Sequence, residues 1–380
     1  MSIIGRCSIM AGSAYHGAAM VARRRCALAL FTCQRIRTSA MSIKPFLKLL
    51  KNDQLTAFTG VNILFKPFYR LAYLSAAKQG GLLDLLSEGP ASLERLAALY
   101  CQDAKAREAL EAWLQLGVRL GFLQLRDGEY GLKGLARKLA LPQNDAPLAL
   151  LQEVAGLHHK LILNTLEKLK KGELWSLADQ DGELIARSSR ALEVFLTEAI
   201  DLSFPVSGAG RLLEIGCGSG YYIKYAVTRN ASLSAIGLEL QPDVAEVARR
   251  NIQEWGLEDR VEIENGDIQA KIPDEHFDIV TLYNNIYYFP VEERVAVLRH
   301  IGKFLKPGGF LLLTTCCQGG NLGIEVLNLW GAATASGGRL PSADEMVDQL
   351  QEAGYRDIVT TSLIPGDRFY AFKAYRGDFS

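Results

Sequence analysis

Three acidic residues stand at positions where they could bind a nucleoside. Glu214 lies inside an apolar run typical of a strand, Glu239 ends the next such run, and Asp267 follows a third in the segment "NGD". An acid at the end of a second strand can accept hydrogen bonds from both ribose hydroxyls, and an acid after the third strand can accept from an adenine amino group. Glu214 would repel a phosphate but suits a cationic amine or a sulfonium. The spacing therefore predicts a nucleoside ligand that carries a positive charge.

A glycine turn directly follows Glu214 and narrows the class of ligand. The segment "GCGSG" places Gly216, Gly218 and Gly220 at alternate positions between a predicted strand and a predicted helix. Glycines let the backbone bend sharply and approach a ligand, and we expect their N–H groups to face it. A dinucleotide fingerprint would need glycine or alanine where this chain has the bulky Tyr221. A phosphate-binding loop would need Gly-Lys-Ser/Thr to follow, so the turn favours a nucleoside without a pyrophosphate.

The elements that must position these residues alternate between strand and helix from residue 211 onward. Apolar runs such as "FDIVTLYN" and "GGFLLLTT" are typical of strands, and "DVAEVARRNIQEWG" is a helix that we expect Asp243 to cap. This alternation predicts an α/β fold with a doubly wound, mostly parallel, Rossmann-like sheet. Only "IPGD" separates the last two predicted strands, which is too short for a crossover helix. The final strand is therefore expected to be antiparallel.

The N-terminal half has a different pattern of apolar and turn residues, which predicts helices followed by a hairpin. Apolar residues recur at helical spacing from residue 44, Asp103 and Gly121 are expected to cap and stop a third helix, and Asp127–Gly128 predicts a tight turn. This order is typical of a winged helix. Because the third helix mixes acids with bases, we expect a dimerisation or substrate-lid role and no nucleic-acid partner.

These changes divide the chain into four segments. We expect a disordered or non-native leader over residues 1–40, with a transit peptide as the alternative, because this stretch holds six arginines and no acid. A winged-helix-like dimerisation domain is expected over residues 41–145 and a helical bridge over 146–205. The ligand-binding α/β domain is expected over residues 206–380.

Composition excludes several classes of protein. The formal net charge is zero, and no apolar run reaches the roughly 18 residues of a membrane span, so neither a nucleic-acid nor a membrane partner is expected. The seven cysteines show no C-x-x-C spacing. Reduced thiols, a cytoplasmic location and no metal site are therefore expected.

The successive motifs of residues 211–375 resemble those of class I S-adenosylmethionine-dependent methyltransferases. The resemblance rests on "LLEIGCGSG", "GLEL", "NGD", "FDIVTLYN" and "LKPGGFLLLTT". It implies that S-adenosylmethionine is the cofactor and that the glycine turn holds its methionine portion. It also implies that Glu239 binds the ribose and Asp267 the adenine. The remaining cofactor contacts predicted in this way are Glu214, Leu240, Ile268, Tyr283 and Asn284.

The N-terminal half resembles the dimerisation domain of small-molecule O-methyltransferases, a group that includes plant phenolic and bacterial secondary-metabolite enzymes. The resemblance implies a homodimer and O-methylation of a small acceptor. Aromatic side chains near the glycine turn and the fourth strand suggest a flat, aromatic acceptor. They are Tyr221, Tyr222, Tyr283, Tyr287, Tyr288 and Phe289.

One position departs from the family pattern. Members that methylate phenols usually carry a catalytic histidine after the fourth strand, where "IYYFPVEE" places Tyr287. Tyrosine has an ordinary pKa near 10 and is a poor general base at neutral pH. The acceptor could already be anionic, the nucleophile could be a ring carbon in a C-methyltransferase, or the base could be His158 or His159 from the bridge. A cofactor-binding winged-helix regulator without catalytic activity is the remaining alternative.

A glycine-rich segment over residues 316–342 follows the fifth strand. It is predicted to hold a helix near "IEVLNLW" and to cover the acceptor as a mobile lid. A solvent loop is the alternative.

Overall fold

The computed structural model describes residues 43–274 and 276–377. These residues divide after Gly60 into two compact units. The leader predicted over residues 1–40 lies outside the described residues. Among the described residues, no helix has the length and apolar character that crossing a bilayer requires.

The N-terminal elements follow the predicted order of helices and hairpin. They are α1 (Lys44–Lys51), α2 (Gln54–Gln79), α3 (Leu82–Glu88), β1 (Ala91–Ser92), α4 (Leu93–Tyr100), α5 (Ala104–Leu120), β2 (Leu123–Arg126) and β3 (Glu129–Leu132). Asp103 caps α5 by accepting a hydrogen bond from the N–H of Ala106 at 2.7 Å, and Gly121 ends this helix in the left-handed conformation. β3 pairs with both β1 and β2 in an antiparallel sheet. The winged-helix-like order is confirmed.

Short helices and a π-helical turn build the bridge to the large sheet. α6 (Gly134–Leu139) follows the hairpin, and the bridge helices are α7 (Asp145–Glu153), α8 (His159–Lys170), α9 (Gly182–Ser188) and α10 (Glu193–Ser203). The π turn covers Val154–His158 and joins α7 directly to α8. Nε of Arg187 on α9 donates to a carboxylate oxygen of Asp145 on α7 at 3.0 Å. This ion pair holds α9 close to α7.

A seven-stranded sheet forms the C-terminal half. Its strands are β4 (Gly210–Ile215), β5 (Leu233–Glu239), β6 (Val261–Asn265), β7 (Phe277–Tyr283), β8 (Leu305–Cys316), β9 (Arg356–Ser362) and β10 (Phe369–Tyr375). They lie in the order β6-β5-β4-β7-β8-β10-β9, and β10 runs antiparallel to both of its neighbours. The mostly parallel sheet and the antiparallel final strand are confirmed.

Five helices accompany these strands. They are α11 (Tyr221–Arg229), α12 (Pro242–Glu254), α13 (Arg294–Gly302), α14 (Leu322–Ala333) and α15 (Ala343–Ala353). The helix predicted near "IEVLNLW" is therefore present as α14. The expected cap at Asp243 is wrong, because α12 begins one residue earlier at Pro242 and Asp243 lies in its first turn. Proline suits that first position, where no backbone N–H is needed.

The sheet is buried on both faces, which fixes the positions of its strand ends. Leu212 and Leu213 point to opposite faces of β4, and both are fully buried. Leu311 and Leu312 behave in the same way on β8. Two apolar clusters therefore enclose the central strands. The loops at the carboxyl ends of β4, β5 and β7 are held on this rigid base.

Candidate active site

A cavity of about 480 Å³ opens at the carboxyl ends of the central parallel strands. The order β5-β4-β7 places it where the direction of the strand order reverses, which is the usual ligand site of such sheets. Part of the bridge around α9 and the segment after α14 complete its wall. The lining residues come from positions 177–190, 214–222, 238–244, 266–269 and 283–293, with Leu196, Ala335 and Ser336.

The glycine turn has the conformation that its sequence predicts, but its N–H groups donate hydrogen bonds within the protein. Gly216, Gly218 and Gly220 have φ values of 68°, 54° and 78°, in the left-handed region that favours glycine. The N–H of Gly216 donates to the carbonyl of Leu238 at 2.7 Å, and the N–H of Gly218 donates to a carboxylate oxygen of Glu239 at 3.0 Å. The expectation that these N–H groups face the ligand is therefore wrong. The glycines instead allow a tight turn beside the cavity.

Glu214 is a buried acid that lies near a second acid, Glu239. Only 2% of the residue is exposed, and Oε2 has no hydrogen-bond partner among the described residues. Burial, followed by the nearby charge of Glu239, raises the pKa of Glu214 well above its ordinary value. An enclosed acceptor of this kind is costly unless a ligand donates to it. A cationic ligand group would satisfy this atom.

The two strand-end acids line the same cavity as Glu214. Oε1 of Glu239 accepts from the N–H of Gln241 at 3.0 Å, and Oδ1 of Asp267 accepts from the N–H of Gln269 at 2.9 Å. Ionised carboxylates have about four acceptor sites, so both retain capacity for a ligand. The fold therefore brings the three predicted acids around one cavity.

Two further polar groups of the cavity wall lack partners among the described residues. They are the hydroxyl of Tyr222 and Oδ1 of Asn284. Burial, followed by the charge of Glu214, raises the pKa of Tyr222, so its hydroxyl stays protonated. Asn284 has a φ of 54°, an uncommon conformation for a residue other than glycine. Together with Glu214, these groups give the cavity a polar region that lacks partners.

The other predicted cofactor residues divide into those that line the cavity and one that does not. Leu240, Ile268 and Tyr283 line it. Gly220 is not among the lining residues, and a Cβ at this position would lie 3.5 Å from Cδ1 of Ile252 on α12. Gly220 therefore precedes the first residue of α11 and allows this helix to pack closely against α12.

A cation that the sequence analysis did not identify also lines the cavity. Arg190 follows α9, and its guanidinium lies 4.5 Å from the ring centroid of Tyr221. Its Nε donates to a carboxylate oxygen of Glu193 at 3.0 Å, and the hydroxyl of Tyr221 donates to the other oxygen. Burial, followed by the hydrogen bond to Glu193, raises the pKa of Tyr221 to about 12. No sequence motif marks Arg190, because only the packing of α9 brings it here.

Two adjacent tyrosines form the wall after β7. The ring centroids of Tyr287 and Tyr288 are 4.7 Å apart. Both side chains line the cavity together with Gln180. Burial raises the pKa of both tyrosines, and that of Tyr287 well above its ordinary value. Burial therefore favours the neutral phenol form of both residues.

The two candidate histidines are not brought to the cavity. His158 lies in the π turn, and its Nε2 is 3.1 Å from Oε1 of Glu153. His159 is exposed, and its ring centroid lies 5.9 Å from that of Phe68 on α2. Neither histidine belongs to the residues that line the cavity. His158 therefore contacts α7, and His159 contacts α2.

A buried arginine supports the tyrosine loop. Nε of Arg294 on α13 donates to the carbonyl of Phe289 at 3.1 Å, and Nη2 donates to the carbonyl of Arg339 at 2.6 Å. These bonds link the loop after β7 to the segment between α14 and α15. Burial lowers the pKa of Arg294 to about 10. Gly331 on α14 also packs closely there, since a Cβ on it would lie 2.4 Å from the carbonyl of Gly338.

Comparison with known proteins agrees with this geometry. Residues 212–309 match a family model described as a methyltransferase domain. Over 269 residues the chain is 27% identical to the mitomycin biosynthesis 6-O-methyltransferase of Streptomyces lavendulae. The aligned stretch covers 67% of this chain and 76% of that protein. Residues 212–309 therefore form a methyltransferase domain.

This methyltransferase shares its fold with solved structures along most of its length. The mitomycin 7-O-methyltransferase superposes with a TM-score of 0.71 at 22% identity, covering 86% of this chain and 100% of that one. Human N-acetylserotonin methyltransferase in complex with S-adenosylmethionine gives 0.66 at 19% identity, with 85% and 98% covered. Several further curated relatives match over 109 to 150 residues, so the chain spans 21% to 54% of their length. The whole-chain likeness confirms the predicted fold class.

Proposed function

We propose that this methyltransferase transfers a methyl group from S-adenosylmethionine to a hydroxyl oxygen of a small, aromatic acceptor. The observation that carries the proposal is one cavity with two features. It holds polar groups of Glu214, Tyr222 and Asn284 that have no partner among the described residues, and the neighbouring, mutually tilted rings of Tyr287 and Tyr288. The names of the mitomycin relatives support a small molecule as the acceptor and oxygen as the methylated atom.

The polar groups fit the amino-acid portion of S-adenosylmethionine, which carries an ammonium and a carboxylate. Glu214 would accept from the ammonium, since its Oε2 lacks any other donor among the described residues. Arg190 would bind the carboxylate, because its guanidinium lines the cavity and shares only part of its donors with Glu193. The hydroxyl of Tyr222 would supply a further donor.

The strand-end residues fit the nucleoside portion. Glu239 would accept from the ribose hydroxyls and Asp267 from the adenine amino group, as the resemblance implied. Leu240 and Ile268 would contact the adenine faces, since both are apolar and line the cavity near these acids. This assignment uses each predicted acid once.

The chain contributes orientation more than acid–base chemistry. When bound, S-adenosylmethionine supplies an electrophilic methyl group on a positively charged sulfur. The acceptor oxygen must lie in line with the bond from that methyl carbon to the sulfur, so holding both partners in one cavity supplies much of the rate enhancement. The loop of Tyr287 and Tyr288 and the segment of α14 would hold the acceptor, with α14 acting as its cover.

A homodimer would bury apolar side chains that a monomer exposes. On α8, Leu163 and Leu166 are 68% and 73% exposed, and α2 also exposes Ile63 and Leu64. Contiguous exposed apolar surfaces usually mark interfaces. We propose that these helices pair with a second copy. Residues 41–145 then act as the dimerisation domain together with α8 of the bridge over 146–205, and residues 206–380 form the methyltransferase domain.

The four cysteines among the described residues are all free thiols. Cys217, Cys316 and Cys317 are buried, and burial raises the pKa of each. Unreactive, reduced thiols suit a reducing compartment. We therefore propose a cytoplasmic location.

The proposal is tested by incubating the purified chain with S-adenosylmethionine and a panel of aromatic hydroxyl compounds. Release of S-adenosylhomocysteine together with an O-methylated product is expected. A C-methylated product would support the ring-carbon alternative. Binding of S-adenosylmethionine without turnover of any compound would contradict the proposed transfer.

A further inference from the structure

Three side chains form a cluster in the cavity wall, where the bridge meets the helix after the glycine turn. The guanidinium of Arg190 lies 4.5 Å from the ring centroid of Tyr221, and its Nε and Nη2 atoms are each 3.0 Å from Oε2 of Glu193. The hydroxyl of Tyr221 donates to Oε1 of Glu193. Glu193 thus uses both carboxylate oxygens inside this group, the Arg190 cluster. A guanidinium has five N–H donors, so Arg190 retains donors for a ligand.

The Arg190 cluster connects the bridge to the α/β domain and separates two cavities. Arg190 follows α9 and Glu193 begins α10, whereas Tyr221 begins α11. Arg190 and Tyr221 line the cavity of the candidate active site and also a second cavity of about 350 Å³. The cluster is therefore part of the wall between the two cavities, and it bounds the first one beside the glycine turn.

The start of α11 provides a favourable environment for an anion beside the cluster. The backbone N–H groups in the first turn of a helix and the helix dipole attract negative charge. The N-cap of α11 is Gly220, which has no side chain to accept from these groups, and the first turn contains no acid. The acid of the cluster, Glu193, is already paired with Arg190. The side chains of α11 therefore leave its first turn to an anionic ligand group.

A buried acid that precedes the glycine turn calls for the opposite charge in the ligand. Oε2 of Glu214 has no partner among the described residues, and the residue is 2% exposed. Tyr222 lies between Glu214 and the cluster. Its ring centroid is 5.6 Å from that of Tyr221, and burial, followed by the charge of Glu214, raises its pKa. An amino acid carries its ammonium and its carboxylate on one carbon atom, so a ligand whose ammonium meets Glu214 presents its carboxylate close by. Arg190 is the one cation among the described residues that line this cavity.

We propose that Tyr221 and Glu193 are positioning residues that hold Arg190 against the cofactor's carboxylate, and that this contact selects nucleosides with that carboxylate over their decarboxylated forms. The inference rests on the proposed function and specifies how its cofactor is recognised. Contact with the ring of Tyr221 and with Glu193 orders the guanidinium before the cofactor binds, which lowers the entropic cost of binding. The inference assigns Tyr221 to the cofactor and not to the aromatic acceptor.

Two nucleosides that differ in one group test the selection. S-Adenosylhomocysteine and its decarboxylated counterpart share the nucleoside, the sulfur and the amine, so the ratio of their affinities isolates the effect of the carboxylate. In calorimetric titrations of the full chain we expect the carboxylate form to bind about 10- to 100-fold more tightly. Arg190→Gln should reduce this ratio to about fivefold or less, because only the weaker attraction of the helix start remains.

Tyr221→Phe tests the positioning role, because it keeps the ring under Arg190 and removes the hydrogen bond to Glu193. We expect this variant to lower the ratio about 3- to 10-fold while the affinity for the decarboxylated ligand stays the same. In an Arg190→Gln background the same substitution should have no further effect, since Tyr221 acts through Arg190. The matched control is Tyr225→Phe on the same helix, which removes a hydroxyl bonded to Asp201 at 2.8 Å outside both cavity linings and should leave the ratio unchanged.

Glu193→Gln should also lower the ratio, because an amide holds a guanidinium less firmly than a carboxylate does. Tighter binding of S-adenosylhomocysteine by this variant would show that Glu193 repels the carboxylate, and would overturn its positioning role.

Two further results would overturn the inference. They are an unchanged ratio in Arg190→Gln and an equal loss of affinity for both ligands in Tyr221→Phe. In these cases the protein still binds the nucleoside, so the proposed function stands. Binding of neither ligand by the unmodified protein would contradict the proposed function and the inference together.

Discussion

Glu214 shows at the scale of one residue how a binding site retains an unfavourable group. The carboxylate is enclosed beside Glu239, and its Oε2 has no donor among the described residues. In the protein without ligand this arrangement lowers stability, because the unfolded chain can ionise the group freely in water. A ligand ammonium would reverse the effect by pairing with the ionised form.

The variant Glu214→Gln should separate stability from binding. Because the folded-state pKa of Glu214 is raised above 4.5, folding takes up a proton above that pH, and the free energy of unfolding falls as pH rises. The glutamine variant lacks this loss, so its advantage should grow above pH 4.5 by up to about 1.4 kcal/mol per pH unit. Denaturant unfolding across pH measures it.

The affinity for the ligand should fall in Glu214→Gln, whereas its stability rises. The same variant should bind S-adenosylhomocysteine about 10- to 100-fold more weakly, since an amide cannot pair with the ammonium. Glu262→Gln, at an exposed position of β6, is the matched control and should change neither quantity. Equal binding by Glu214→Gln and the unmodified protein would remove Glu214 from the cofactor site.

At the residue scale, the sequence could predict side chains whose strand ends bring them together, but not those brought in by packing. Glu214, Glu239 and Asp267 follow successive strands, and parallel strands bring their ends to one edge. Arg190 and Gln180 come from the bridge, so no local pattern points to the cavity. The use of the turn's N–H groups was also missed, since those bonds depend on the neighbouring strand β5.

At the scale of elements, one buried side chain links the loop after β7 to the segment between α14 and α15. Arg294 begins α13 and donates to the carbonyls of Phe289 and Arg339, which belong to loops far apart in sequence. A guanidinium can donate along several directions at once, whereas an ammonium acts as a compact point charge. The position of Tyr288 therefore depends on a residue that does not line the cavity.

We expect Arg294→Lys to lose one of these bonds and to lower the free energy of unfolding by about 2 kcal/mol. The acceptor KM should rise, while the affinity for S-adenosylhomocysteine stays the same, because the cofactor loops do not depend on Arg294. Arg299→Lys, on the same helix but with an exposed bond to the carbonyl of Glu352, is the control. A parallel loss of cofactor affinity would contradict this division.

Periodicity and turn residues predicted most elements, because their signals are local. Asp103 and the Asp127–Gly128 turn appear where they were expected. The cap at Asp243 was missed because Pro242 fits the first turn of a helix and moves its start by one residue. The residues of the π turn at Val154–His158 do not differ in type from those of an ordinary α-helix. The sequence therefore predicts only a continuous helix there.

At the scale of the whole molecule, the exposed apolar side chains of α2 and α8 predict assembly. The ring centroids of Phe68 on α2 and His159 on α8 lie 5.9 Å apart, so the two helices meet at this point. A monomer would leave this surface in water at a cost of about 25 cal/mol per Å² of apolar area. Pairing with a second copy removes that cost.

The double variant Leu163→Glu/Leu166→Glu should dissociate the dimer, since two carboxylates per copy would be buried without partners. Sedimentation is expected to show half the mass of the unmodified protein. Ile272→Glu, at a position that is 86% exposed outside these helices, is the control and should remain dimeric. An unmodified protein that sediments as a monomer would contradict the proposed interface.

Calorimetric titration with S-adenosylhomocysteine tests the proposed site most directly. The unmodified protein should bind one ligand per chain, and Glu239→Ala and Asp267→Ala should each weaken binding about 10- to 100-fold because each removes an acceptor for the nucleoside. Asp259→Ala, at an exposed turn outside the cavity, should bind like the unmodified protein. Unchanged affinity in both cavity variants, with their thermal stability intact, would contradict the assignment of this cavity to the cofactor.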